Sequence, residues 1–158
     1  MRIKKMTLMN QNKLFTGACL CGEVGFEFHL EKIKMIYHCF CSLCRKQSGA
    51  GVNAATFVQA SSFHWRYGQQ LIQTFSKKTG FTNCFCRQCG SPVPNALAHN
   101  PNIVWIPLGL IQEDFVPEQV LNFCMKSKAS WTTSDVPFVL FDELPNRMEL
   151  QHYFELNQ

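Results

Sequence analysis

Hydrophobic and polar residues alternate over a short stretch near the start of this chain. Val24, Phe26 and Phe28 are separated by a glycine and a glutamate, and this two-residue period is typical of a half-buried β-strand. We expect residues 33–39 to return beside it as the second strand of a hairpin. The returning strand would end at a run of cysteines that begins with Cys39.

Further short apolar stretches follow, separated by Ser, Gly or Gln rather than by helical spacing. They predict strands at 54–58, 63–67, 71–76, 81–85, 103–110 and 117–125. Residues 45–49 are predicted to form a polar turn and residues 127–131 a polar loop, whereas the pattern over 138–158 does not distinguish helix from strand. The sequence therefore predicts a mainly β fold.

Length and composition predict one folded unit. A chain of 158 residues, of which 46% are hydrophobic, is long enough for one substantial core. Residues 1–14 are expected to be a loose N-terminal tail. Their basic start resembles a secretion signal, but polar residues interrupt the apolar run that such a signal needs. Residues 15–158 are expected to form a single domain. Since no apolar run approaches the roughly 18 residues of a membrane span, we expect a soluble, cytoplasmic protein.

The charge pattern argues against nucleic acid as a partner. The formal net charge is +4 and charged residues make up 16% of the chain. The basic residues are also scattered, so contacts with a phosphate backbone would be few. Neither nucleic acid nor a membrane is expected to bind.

Nine cysteines are the most informative residues of the sequence. Eight of them lie in three groups with C-x-C or C-x-x-C spacing, which suits metal binding better than the wide spacing of a disulfide framework. An odd total also leaves one thiol without a disulfide partner. We therefore expect metal, and specifically zinc, as the cofactor.

Two distant groups together predict a closed four-thiolate site. Gly22 and Gly90 follow the two groups and permit tight backbone turns that bring amide donors toward sulfur. A four-ligand zinc site is usually structural, and this one would tie the N-terminal region to the middle of the chain. The ligands would be Cys19, Cys21, Cys86 and Cys89.

The central group, Cys39, Cys41 and Cys44, predicts a second zinc site that has three thiolates. A three-ligand zinc site keeps one coordination position for water or substrate and is therefore the expected place for chemistry. His38 or Cys84 would close that position if either were a fourth ligand. Otherwise Cys84 is expected to be buried, as is Cys124.

We expect structural roles for Trp131 and for the histidines that lie outside the cysteine groups. Trp131 is expected in the core rather than at a substrate. The remaining histidines are expected at the surface or behind the ligands. They are His29, His64, His99 and His152.

The order of these motifs resembles the glutathione-dependent formaldehyde-activating enzyme family. The resemblance covers roughly residues 15–135 and implies a β-tent fold of antiparallel sheets around two zinc ions. It departs from the family at Phe40 and Asn122, where a histidine is common. The matching motifs are Gly17-x-Cys19-x-Cys21-Gly22-x-Val24, Cys39-x-Cys41-x-x-Cys44-Arg45 with Ser48-Gly49, Phe85-Cys86-x-x-Cys89-Gly90, and Ser127-Lys128-Ala129-x-Trp131.

The resemblance implies that Cys39, Cys41 and Cys44 hold the catalytic zinc ion of a carbon-sulfur lyase. The partners would be glutathione and formaldehyde, or a related small thiol and aldehyde, combining as in S-hydroxymethylglutathione synthesis. A site with three thiolates suits thiol binding, because the ion is a weaker Lewis acid than one held by neutral histidines. The alternative is a non-catalytic zinc module that binds a protein or peptide with the same fold.

Overall fold

Ten β-strands and two short α-helices are formed by residues 12–132 and 139–154, the part of the chain that the computed structural model describes. They are β1 (Lys13–Ala18), β2 (Gly25–Leu30), β3 (Met35–Cys39), α1 (Ser42–Ser48), β4 (Asn53–Gln59), β5 (Phe63–Tyr67), β6 (Ile72–Ser76), β7 (Thr82–Cys86), β8 (Asn95–Leu97), β9 (Asn100–Pro107), β10 (Gln119–Phe123) and α2 (Arg147–Tyr153).

The strands form three sheets. Their orders are β1-β2-β5, β10-β3-β4-β9-β8 and β6-β7. Strand β10 lies parallel to β3, and the other pairs among the described strands are antiparallel. The prediction of a mainly β fold with antiparallel sheets is confirmed.

The predicted hairpin between the first alternating strand and residues 33–39 is wrong. Strand β2 pairs with β1 and β5, whereas β3 lies in the five-stranded sheet. The aromatic contact explains the choice, because Phe15 of β1 lies opposite Phe28 and the two rings stack with centroids 5.1 Å apart. Strand β1 begins at Lys13, two residues before the predicted domain boundary. Residues 1–11 of the predicted tail lie outside the described part.

The strand predictions in the middle of the chain are confirmed with small changes of boundary. Strands β4, β5, β6 and β7 cover the four stretches predicted between residues 54 and 85. Strand β9 begins earlier than predicted and ends at Pro107, where a 3-10 turn over Leu108–Leu110 replaces the last predicted residues.

The predicted polar turn at 45–49 is wrong, because these residues belong to helix α1 and its end. The Cys41 side chain accepts a hydrogen bond from the Cys44 N–H and so caps the first turn. Gly49 ends the helix with a φ of 68°, a left-handed conformation that glycine adopts without steric cost. Helix α1 has only two turns and ends in Ser48 and Gly49, so its sequence resembled a polar turn.

Helix α2 lies in the region whose structure the sequence left undecided. Asn146 caps it and forms a reciprocal capping box with Glu149. Residue 138 and residues 155–158 of the same region lie outside the described part. No helix among the described residues has the length and apolar character needed to cross a membrane.

Two buried clusters form the core. The larger one lies between the three-stranded and five-stranded sheets and contains Phe15, Phe26, Phe28, Ile33, Val58, Val104 and Ile106. The smaller one consists of Val24 and Val93 with the thiols of Cys19 and Cys86. Two of the predicted zinc ligands are therefore part of the hydrophobic core.

Candidate metal centres and the adjoining cavity

The first cysteine centre joins two turns that are far apart in the sequence. Cys19 and Cys21 follow β1, Cys86 ends β7, and Cys89 lies in the turn after β7. The four sulfur atoms all lie within 4.8 Å of one another. The structure thus brings together the four residues that the sequence assigned to a closed site.

Backbone hydrogen bonds shape both turns around sulfur. The Val24 N–H donates to Cys19 Sγ over 3.3 Å, and the Gly22 N–H donates to the Cys19 carbonyl over 2.9 Å. Gly22 and Gly90 have φ angles of 80° and 75°, so both turns use the left-handed conformation that glycine permits. These turns were predicted from the Cys-Gly spacing.

Two of the sulfur-sulfur distances in this group are close to those of a tetrahedral zinc site. A Zn–S bond of about 2.3 Å places sulfur atoms about 3.8 Å apart in a tetrahedron. The Cys19 and Cys21 sulfurs are 3.5 Å apart, and those of Cys21 and Cys86 are 3.8 Å apart. The residues present therefore fit a metal ion with no further ligand.

The thiols of this centre differ strongly in acidity. At Cys21, a hydrogen bond from the Glu23 backbone favours the thiolate, but desolvation and the three neighbouring sulfurs raise its pKa to about 12. At Cys89, burial opposes ionisation, but hydrogen bonds with Ser91 and Cys21 lower the pKa to about 5. Negative charge on one sulfur thus suppresses ionisation of the next, and a cation would allow all four to ionise together.

The second cysteine centre is built from one continuous segment. Cys39 ends β3, Cys41 caps α1, and Cys44 lies in the first turn of that helix. Their three sulfurs also lie within 4.8 Å of one another. Among the described residues, no His, Asp, Glu or further Cys joins this group, so the residues fit a metal ion with one position left for another ligand.

The acidity of these three thiols is also unequal. Burial raises the pKa of Cys44, and the sulfurs of Cys39 and Cys41 raise it further. At Cys41, burial acts against ionisation, but hydrogen bonds from the Cys44 backbone N–H and side chain lower the pKa. The helix turn therefore favours the thiolate form of its own capping residue.

A cavity of about 270 Å³ adjoins this three-cysteine centre. Cys44 contributes to its wall, and Tyr37, Phe57 and Trp105 provide large aromatic surfaces. The Tyr37 and Phe57 rings stack with centroids 5.2 Å apart. Burial raises the pKa of the Tyr37 hydroxyl, so this group stays protonated near neutral pH.

A chain of amide groups fixes the polar side of the cavity. Asn53, which lies opposite Cys39 in the sheet, donates from Nδ2 to Gln47 Oε1 over 2.9 Å. Gln47 in turn donates from Nε2 to Asn83 Oδ1 over 2.7 Å. Helix α1 is thereby joined to β4 on one side and to β7 on the other.

The cavity residues were not predicted from the sequence. His99, assigned to the surface or to a supporting role, is exposed and contributes to the cavity wall. Gln47 and Asn53 lie close to the cysteine motif in the sequence. Their amides were the one signal from which a polar wall beside the cysteines could have been predicted. Tyr37 lies in β3 and Trp105 in β9, and the sequence analysis did not predict that these strands belong to the same sheet.

Cys84, Cys124 and Trp131 lie outside both cysteine centres. Cys124 is exposed and Trp131 is 67% exposed, so their predicted burial is wrong. Cys124 follows the last residue of β10 with a φ of 58°, outside the alternating part of the strand. Trp131 lies against Gly51, where its ring atoms Cζ3 and Cη2 leave little room for a Cβ atom. Cys84 is half-buried, and its sulfur lies 3.3 Å from Thr74 Oγ1.

The sheets and the two centres define a mainly β protein with two groups of cysteines able to bind metal ions. The model of the glutathione-dependent formaldehyde-activating enzyme family matches residues 14–131, which are most of the chain. The chain belongs to this family. The resemblance inferred from the cysteine motifs is confirmed.

A solved structure supports the fold independently. A crystal structure of a Rhodobacter sphaeroides protein, a structural genomics target, is similar with 23% sequence identity and a TM-score of 0.55. The match covers 68% of this chain and 98% of that chain. At this identity the similarity concerns the fold alone.

Proposed function

We propose that this protein is a zinc-dependent carbon-sulfur lyase that reversibly adds a glutathione-type thiol to formaldehyde or a related small aldehyde. Family membership supports a glutathione-dependent, formaldehyde-activating or related function. The observation that favours an enzyme is the three-sulfur group of Cys39, Cys41 and Cys44, which adjoins a cavity. A purely structural site would be expected to have four protein ligands, as the other centre does.

Cys39, Cys41 and Cys44 would hold the catalytic zinc ion, and Cys19, Cys21, Cys86 and Cys89 the structural one. A zinc ion held by Cys39, Cys41 and Cys44 would supply a position at which a substrate thiol ionises near neutral pH. In the reaction, the thiol sulfur forms a bond to the aldehyde carbon while the carbonyl π bond breaks. The proton released by the thiol ends on the former carbonyl oxygen, so the product is a hemithioacetal, which is the S-hydroxymethyl adduct when the aldehyde is formaldehyde.

The chain's own residues would orient the reactants and limit access of water. The Gln47 amide holds α1 against Asn53 and Asn83 and so fixes the position of the Cys44 sulfur. Tyr37 and Trp105 line the cavity beside that sulfur with apolar surface. An aldehyde beside the thiol would therefore react from a restricted orientation, which reduces the entropic barrier to addition.

The test compares glutathione with its S-methyl analogue by calorimetric titration of the protein as isolated with its metal. We expect glutathione to bind at least tenfold more tightly, because the analogue lacks the ionisable thiol. Affinity for glutathione should fall in Cys41→Ser and stay unchanged in Cys124→Ser, a matched substitution at an exposed thiol outside both centres.

Exchange NMR with glutathione and formaldehyde then measures whether adduct formation is faster than the spontaneous reaction. Equal affinities for the two tripeptides would contradict a thiol site at the metal and favour the non-catalytic zinc module. Thiol-dependent binding without acceleration would contradict formaldehyde as the substrate and direct the search to other aldehydes.

A further inference from the structure

The cavity beside Cys44 is larger than formaldehyde needs. Formaldehyde has two heavy atoms, hardly more than a water molecule, whose share of liquid volume is about 30 Å³. The cavity volume of about 270 Å³ is close to the lower end of the roughly 300–1,000 Å³ found for small-molecule sites. Its size therefore suits a substrate with a ring or a chain of several carbon atoms.

The wall of the cavity is almost entirely uncharged. Among the described residues that line it there is no Asp, Glu, Lys or Arg, and its polar groups include the amides of Gln47, Asn53 and Asn95. The basic residues of α1, Arg45 and Lys46, line a different groove beside Trp131. A charged group entering the cavity would lose water without gaining an ionic partner, which is energetically costly.

The metal centre adds a second reason to exclude anions. Three thiolates and one divalent cation have a net charge of −1, and Cys44 of this group is part of the cavity wall. Glutathione has two carboxylates and one ammonium group near neutral pH. Its peptide body is therefore expected to lie outside this cavity even when its sulfur is at the metal, which leaves the cavity for the other reactant.

Asn95 shows that the polar part of the cavity wall is neutral and ordered. Its Nδ2 donates to the Ala96 carbonyl over 3.2 Å, which orients the side-chain amide. Its Oδ1 is shielded from solvent and accepts no hydrogen bond from the described residues. Because this oxygen has almost no accessible surface, a ligand would not reach it, and Asn95 contributes to the wall a neutral amide that is held in place.

From size, charge and aromatic lining, we propose that the aldehyde substrate has an uncharged apolar or aromatic body that binds in this cavity. Tyr37, Phe57 and Trp105 would contact the apolar body, and the amide groups would accept or donate neutral hydrogen bonds. This inference rests on the proposed lyase function, because it assigns the cavity to the aldehyde. It makes this chain selective for aldehydes larger than formaldehyde.

The first test measures binding alone, with two alcohols that cannot react with lysine or cysteine. The probes are 4-(hydroxymethyl)benzamide and 4-(hydroxymethyl)benzoate, which have nearly the same shape and differ in charge. Titration of the metal-loaded protein by NMR at pH 8 should give at least tenfold tighter binding of the amide. The Trp105 indole resonance should shift, whereas that of Trp131, in the separate groove, should not.

A charge introduced into the wall tests the cause of the preference. Leu97 lines the cavity, and in Leu97→Lys the preference for the amide should fall at least tenfold because the benzoate gains an ionic partner. Leu144→Lys, at an 85% exposed leucine outside the cavity wall, is the matched control and should bind like the wild type. Metal content and melting temperature establish whether each variant is folded. The comparison of the two probes on the wild-type protein does not depend on the variants.

Equal binding of the two probes, or tighter binding of the benzoate to the wild type, would overturn the inference, as would shifts confined to Trp131. Its failure is distinguishable from that of the lyase proposal, which depends on thiol-selective binding of glutathione. In the reaction assay with glutathione, 4-formylbenzamide should be converted at least tenfold faster than 4-formylbenzoate.

Discussion

The two cysteine centres use the same side chain but are built in different ways. The four-cysteine centre joins turns about 65 residues apart, as the Cys21–Cys86 contact shows, and two of its thiols belong to the core. The three-cysteine centre comes from one short segment at the start of α1, and two of its thiols are half-buried. A metal ion in the four-cysteine centre would fix the fold, whereas one in the three-cysteine centre would keep a coordination position for another ligand.

Chain entropy makes this difference quantitative. The cost of closing a loop grows with the logarithm of its length, so a link across 65 residues restrains the unfolded chain by about 2 kcal/mol more than one across five residues. The distant link also lies in the core, because Cys19 and Cys86 form a buried cluster with Val24 and Val93. The four-cysteine centre should therefore have the larger effect on stability.

Metal removal should produce the largest effect. We expect elemental analysis to find two zinc ions per chain, and a strong chelator under reducing conditions to unfold the protein, as measured by near-UV circular dichroism. Structural zinc contributes on the order of 10 kcal/mol to folding, which is comparable with the whole stability of a domain. Adding zinc back should restore the spectrum.

One metal ion or none per chain would contradict this expectation, and so would disulfides in freshly reduced protein. A protein that stays folded after both ions are removed would show that the hydrophobic core suffices. In that case the contrast between the two centres would concern chemistry and not stability.

The sequence predicted the two groups of cysteines better than the cavity, because the spacing of ligands is a local property. Gly22 and Gly90 mark the turns beside sulfur, and the C-x-C and C-x-x-C spacings identify the thiols without knowledge of the fold. The cavity instead requires that Tyr37, Trp105 and α1 come together from separate elements. Their proximity depends on how the strands pair.

The strand pattern illustrates the same limit. Alternation at Val24, Phe26 and Phe28 correctly predicted a half-buried strand, since burial on one face gives a period of two. It could not identify the neighbour, and the stacking of Phe15 on Phe28 selected β1 instead of the predicted residues 33–39. Helix α1 was missed because a capping cysteine and a final glycine enclose only two turns.

Substituting one ligand of each centre compares the two centres directly. Cys86→Ser should lower the melting temperature strongly or prevent folding, because Cys86 is fully buried and belongs to the distant link. Cys41→Ser should leave a folded protein that has lost mainly one zinc ion. Serine is a favourable helix N-cap, so the substitution preserves the cap that the Cys41 sulfur provides over 3.4 Å.

Thermal melts combined with zinc counts on both variants provide the measurement, and Cys124→Ser is the control for losing a thiol that belongs to neither centre. Equal destabilisation by Cys86→Ser and Cys41→Ser would show that the three-cysteine centre is structural too. The assignment of separate roles to the two centres would then be wrong.

The smallest expected effect concerns a carboxylate that anchors the strand leading into the four-cysteine centre. Glu113 accepts hydrogen bonds from the Thr16 N–H over 2.7 Å and from the Thr16 hydroxyl over 2.6 Å, three residues before Cys19. Partial burial opposes ionisation of Glu113, but the Thr16 hydrogen bonds outweigh it and lower its pKa. Glu113→Gln should therefore destabilise the protein by about 1 kcal/mol, after allowing for partial exposure, while both zinc ions remain bound.

The pH dependence of this loss follows from the direction of the pKa shift. A carboxyl whose pKa is lowered by folding contributes stability that is complete above its unfolded pKa of about 4.3 and is lost only as the pH falls through the lower folded value. The melting temperatures of wild type and Glu113→Gln should thus differ by about 2–4 °C, and by the same amount at pH 6 and pH 8. Glu143→Gln, at an exposed glutamate, should not change the melting temperature. A difference that varies between pH 6 and 8, or a lost zinc ion, would show that Glu113 acts through the metal centre and not through Thr16.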